Sequence, residues 1–142
     1  MNIKKVISML LAFILGSFSI NFYAADSQKE TRVYRKIPCA EALKMIEEYR
    51  KDKNFVLMDV RTPEEYSTSH IDGAINIDFY SKDFKAELDR LDKGKKYLVY
   101  CRSGHRSGMT LPVMKELGFK EVYEIDGGIN AWAADKFPLT VK

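Results

Sequence analysis

The residues with most capacity for chemistry fall together at Cys101, Arg102, Ser103, Gly104, His105, Arg106 and Ser107. A cysteine is a nucleophile as its thiolate, which nearby cations, backbone N–H groups and a helix N-terminus all favour. Residues 97–100, directly before Cys101, form a continuous apolar run, and helical periodicity begins near Ser107. Cys101 is therefore predicted at the end of a buried strand, beneath a short loop that leads into a helix. Gly104 lets that loop turn its amides inward into a ring that binds anions, and Arg102 and Arg106 add positive charge in the same direction. The predicted chemistry is nucleophilic attack by a Cys101 thiolate. Taken singly, these residues fit a buried core cysteine and solvated arginines; their order is what a thiolate site demands. His105 has two readings, a further charge or hydrogen bond for a substrate and an exposed histidine without a role.

The elements that must hold this loop can be read from the pattern around it. Residues 55–60 and 97–100 are apolar runs of the kind found in strands covered on both faces, and residues 121–125 are a weaker third. Helical stretches are predicted over residues 39–50, with Ala42, Leu43, Ile46 and Tyr49 on one face, and over 83–91 and 107–117. A short helix follows Thr62, which can cap it; Pro63 suits its first position, and Glu65 can complete a capping box. Gly118, Gly127 and Gly128 end elements. Strands alternating with helices predict an α/β fold, a mostly parallel sheet with helices on both faces. Ligands in such sheets bind beyond the carboxyl ends of the strands. Two loops lie there, the one after Asp59, Val60 and Arg61, and the one that begins at Cys101. Pro112 falls inside the helix that follows the second loop, where it removes a backbone hydrogen bond.

With 142 residues the chain suits one domain, and a charged fraction of 30% beside a hydrophobic fraction of 46% excludes a disordered or collagen-like chain. Lys4 and Lys5 precede an apolar run over residues 6–20 and then Tyr23, Ala24 and Ala25, so residues 1–25 read as a secretory signal peptide. The large residue at the third place before the cut, Phe22 for cleavage after Ala24 or Tyr23 for cleavage after Ala25, leaves an uncleaved anchor as the alternative. The chain is thus expected in the periplasm or secreted, touching a membrane only if that segment is retained. Residues 26–31 are polar and read as a flexible arm, and the domain spans 32–142. Without Lys4 and Lys5, 21 basic side chains face 20 acidic ones, and no clustered positive excess points to nucleic acid. Cys39 and Cys101 could form one bridge, but Cys39 opens a helix and Cys101 a loop, so Cys39 is read as a small apolar residue.

From residue 31 to the C-terminus the sequence resembles the rhodanese family. The resemblance rests on four segments in order: 59–66 (DVRTPEEY), 70–77 (HIDGAINI), 101–107 (CRSGHRS) and 127–132 (GGINAW). It implies a three-layer α/β sandwich with about five mostly parallel strands, and transfer of a sulfane sulfur without metal or organic cofactor. It also implies that Cys101 carries the sulfur as a persulfide, and that the 102–107 segment cradles an anionic donor such as thiosulfate. Within that segment Arg102 and Arg106 would orient the donor and Ser103, Gly104, His105 and Ser107 would complete its surroundings. The acceptor would be a thiol or a redox protein. Asp59 and Arg61 are expected to support the loop as an ion pair, His70 to belong to a turn, and Trp132 to pack the last helix on the core.

Two rivals follow from the same residues. Cysteine-dependent phosphatases surround phosphate with a loop one residue longer than the four residues between Cys101 and Arg106. A rhodanese-like module that only binds partners is the alternative from another class, since folds outlive activities. A metal site drawn from Cys39, His70, Cys101 and His105 lacks any zinc-like spacing.

Overall fold

The computed structural model describes residues 31–141. The segments read as export signal and, but for Thr31, as flexible arm lie outside the described residues. Five strands, β1 (Val33–Ile37), β2 (Phe55–Asp59), β3 (Ile75–Asn76), β4 (Lys96–Tyr100) and β5 (Glu121–Ile125), form one parallel sheet in the order β1-β5-β4-β2-β3. The helices are α1 (Cys39–Tyr49), α2 (Pro63–Thr68), α3 (Phe84–Asp89), α4 (His105–Glu116) and α5 (Gly128–Ala134).

Side chains alternate along the central strands, and each face meets its own helices. Leu57, Leu98, Tyr100, Tyr123 and Ile125 pack with Ala42 and Ile46 of α1 and Ile129 and Trp132 of α5. Met58, Val60, Tyr97, Val99, Cys101 and Val122 pack with Phe84 and Leu88 of α3 and Met114 of α4. This is the expected α/β sandwich, with Cys101 continuing the alternation of β4.

The three strands predicted from apolar runs are present, whereas β1 and β3 were not singled out. Both are edge strands: β1 carries exposed Arg35 and Lys36, and β3 has two residues, so neither has an apolar run long enough to read. The Thr62 cap, Pro63 and the Glu65 capping box start α2 as predicted. Two expectations are corrected. Helix α4 begins at His105 rather than near Ser107, because Gly104 sits at φ 94° and serves as its N-cap. Gly127 and Gly128, expected only to end an element, open α5. Pro112 faces solvent, and α4 continues through it.

Leu98→Ala, in the middle of the central strand and fully buried, is expected to cost about 2–5 kcal/mol in chemical denaturation. Ile75→Ala on β3, where the side chain is 40% exposed, should cost about 1 kcal/mol or less.

Candidate active site

Cys101 follows the last residue of β4 and is nearly enclosed, 1% exposed, while Arg102, Ser103 and His105 stand in solvent. The Gly104 amide donates to its Sγ at 3.1 Å, and the Ser107 hydroxyl lies 3.4 Å away. Burial alone would push the thiol up. The Ser107 hydroxyl and the amides of Ser107, Ser103 and Gly104 overcome that effect and hold it below its ordinary value. Ser107 itself is buried beneath the loop, its hydroxyl also 2.8 Å from Oε1 of Glu124.

The loop keeps this shape because its carbonyls are taken up on the other side. The amides of Ile129 and Asn130, in the first turn of α5, donate to the carbonyls of Cys101 and Arg102 at 2.9 and 3.0 Å. Contact is so close that a Cβ on Gly128, whose φ is +59°, would stand 2.4 Å from the Cys101 carbonyl oxygen.

Asp59 and Arg61 form a buried pair, with Nε and Nη2 of Arg61 donating to the carboxylate at 2.6–3.0 Å. Arg61 Nη2 also donates to the Ser69 carbonyl at 2.6 Å, tying the end of β2 to the end of α2. Their placement is that of a scaffold beside the loop. Arg106 is buried and clamped by Glu65: Nη1 and Nη2 donate to the two carboxylate oxygens at 2.7 and 2.8 Å. The hydrogen bonds from Arg106 hold Glu65 down to about 2, against its ordinary 4.5. One carboxylate thus caps α2 and fixes the loop arginine. The sequence offered only the first role, since the pairing of residues 65 and 106 depends on tertiary structure. Glu124 was also missed, although a carboxylate inside the run 121–125, between two covered faces, is itself a signal.

Beside the loop lies an open cleft of about 290 Å³, lined among others by Arg61, Glu65, Arg102, Asn130 and Leu139. His70 stays out of it, stacked on Tyr66 with ring centroids 3.8 Å apart and its Nδ1 2.8 Å from the Tyr66 carbonyl. Trp132 is buried in the core, its Nε1 donating to the Pro138 carbonyl at 2.9 Å. Cys39 and Cys101 are both free. Burial, with Asp135 and Asp126 nearby, pushes the Cys39 thiol up, the reverse of Cys101.

Residues 39–135 match the rhodanese-like domain family. The thiosulfate sulfurtransferase GlpE of Pseudomonas putida is 33% identical over 102 residues, covering 71% of this chain and 86% of that protein. Among solved structures, a rhodanese-related protein from Thermoplasma volcanium superposes with a TM-score of 0.64 at 28% identity, covering 77% of this chain and all of that one. A rhodanese from E. coli solved with anions gives a TM-score of 0.50 at 32% identity, covering 62% of this chain and 99% of that one.

Two outcomes follow from this geometry. Gly128→Ala should cost about 3 kcal/mol in thermal or chemical unfolding, because the new Cβ meets backbone that cannot yield, and should slow alkylation of Cys101. Glu65 has a depressed folded value, so its stabilisation is full above about 4.5 and is lost as pH falls toward about 2. Glu65→Gln should lower stability at neutral pH by roughly 2 kcal/mol, less than for a fully buried pair, and flatten the loss seen in melting curves between those pH values.

Proposed function

The chain belongs to the rhodanese family of sulfurtransferases, and from that premise we propose that Cys101 carries sulfur as a persulfide between an anionic donor and a thiophilic acceptor. The observation that carries this reading is the Sγ of Cys101 held among the amides of Ser103, Gly104 and Ser107 and favoured as a thiolate. In the first half-reaction the thiolate attacks the outer sulfur of a donor such as thiosulfate. A new S–S bond forms to Cys101, the donor's S–S bond breaks, and sulfite leaves with the electron pair. In the second, a thiolate or cyanide attacks the outer sulfur of the persulfide, and Cys101 departs as thiolate. Charge on the donor and on departing sulfite is met by the loop amides and by the exposed Arg102. Arg106, fixed by Glu65, supplies a cation whose position does not change during the cycle. Ser103, Gly104 and His105 complete the donor's surroundings, and Ser107 supports the sulfur from below.

The cleft beside Arg102, with polar Asn130 and apolar Leu139 in its lining, suits a small thiol or the thiol-bearing segment of a redox protein as acceptor. The chain acts outside the cytoplasm on this reading, a role supported by the basic, then apolar, then small-residue order of residues 1–25.

Intact mass after incubation with thiosulfate tests the proposal. The parent protein should gain one sulfur, lost again to cyanide with release of thiocyanate. Cys101→Ser should gain none, and Cys39→Ser should load as the parent does; equal loss in both variants would sink the assignment. Arg106→Ala should lower kcat/KM for thiosulfate by about tenfold, with unchanged kinetics removing Arg106 from the mechanism.

A further inference from the structure

Beneath the loop, three buried groups of different elements line up. Ser107 Oγ, on α4, lies 3.4 Å from Cys101 Sγ and 2.8 Å from Oε1 of Glu124 on β5. Their exposures are 0%, 1% and 2% for Ser107, Cys101 and Glu124. The serine has one hydroxyl hydrogen, and two groups able to carry negative charge face it from either side.

Other charges facing the trio do not resolve the competition. Lys36 of β1 is 3.9 Å from the second Glu124 oxygen, beyond hydrogen-bond length, with its side chain 52% exposed and also 3.7 Å from Asp126. On the cysteine side Arg106 is clamped by Glu65, and α5 brings the backbone of Gly128. Were Cys101 and Glu124 both ionised, the single hydrogen could serve one of them, leaving either Cys101 to the loop amides alone or Glu124 Oε1 without its hydroxyl donor, each beside a like charge.

We infer that Cys101, Ser107 and Glu124 form a buried proton-sharing chain, in which Glu124 receives, by way of the Ser107 hydroxyl, the proton that Cys101 gives up. In one state the Cys101 S–H donates to Ser107 Oγ, whose O–H donates to the Glu124 carboxylate. In the other the Ser107 O–H donates to the thiolate, and a protonated Glu124 donates to Ser107 Oγ. Passage between them breaks the S–H bond and the original serine O–H bond, and forms a serine O–H and a Glu124 O–H. No proton reaches solvent, and the chain keeps one negative charge throughout. Glu124 is a positioning residue: it never touches the donor, and it acts through Ser107. The inference deepens the reading of Cys101 as nucleophile and rests on it.

The test is the pH profile of Cys101 alkylation by iodoacetamide, with ultraviolet thiolate absorbance, in the full chain carrying Cys39→Ser. Two coupled groups titrate in two macroscopic steps, so the parent profile should rise in two steps separated by a plateau. Glu124→Gln keeps a donor to Ser107 and removes the charge. It should give a single step and, near pH 6, alkylation about tenfold faster. Adding Ser107→Ala should abolish that acceleration. Coincident profiles for Glu124→Gln and its parent, or acceleration undiminished by Ser107→Ala, would overturn the chain.

A second readout needs no change at Glu124 or Ser107. On the plateau, alkylation should release close to one proton per Cys101 although absorbance reports thiolate, because the proton is still held on Glu124. Release equal to the thiol fraction alone would refute the inference. Sulfur loading of the same protein by thiosulfate, followed by intact mass, is read separately. Its failure would count against the sulfurtransferase reading while leaving both titrations interpretable.

Discussion

The loop over Cys101 can turn its amides toward sulfur only because its carbonyls are satisfied elsewhere. A tight loop with every N–H facing inward has every C=O facing outward, and buried carbonyls without donors are costly. Here the first turn of α5, which has amides without intrahelical partners, supplies the missing donors to Cys101 and Arg102. Two unsatisfied sets of backbone groups, a helix start and a loop's outer edge, cancel each other. Gly128 is the condition for this contact, since a Cβ there would press to 2.4 Å from the Cys101 carbonyl oxygen.

Charge around the loop follows the same economy of shared partners. Glu65 accepts from the Thr62 amide at the start of α2 and from both terminal nitrogens of Arg106. The arginine is therefore rigid and partly neutralised, and the cation left in solvent at the loop is Arg102. Negative charge on Cys101 is favoured chiefly by the Ser107 hydroxyl and by amides whose directions the backbone fixes.

Much of this was legible in the sequence, for physical reasons that differ between elements. Residues 55–60 and 97–100 announce strands because both their faces are covered. The start of α2 is specified by three local residues, Thr62, Pro63 and Glu65, whose interactions span a single turn. Cys101 could be placed at a strand end because a strand, a glycine and a helix meet there in order. The beginning of α4 was misplaced by two residues, because the left-handed cap at Gly104 overrides the periodicity that starts near Ser107. The pairings of Glu65 with Arg106 and of Ser107 with Glu124 join residues 41 and 17 positions apart. No local rule reaches that far. The edge strands escaped notice because half of what defines a strand, its covered faces and paired neighbours, is missing at an edge.

Those same edges govern how the molecule meets its own copies. An all-parallel sheet buries its faces but leaves two open rims of N–H and C=O groups, a template for intermolecular β-pairing. At one rim β3 is two residues long, too short to recruit a partner strand; at the other, the exposed Arg35 and Lys36 of β1 would face the same charges on an approaching copy. Brevity and charge, the features that hid these strands from the sequence, act as guards against aggregation.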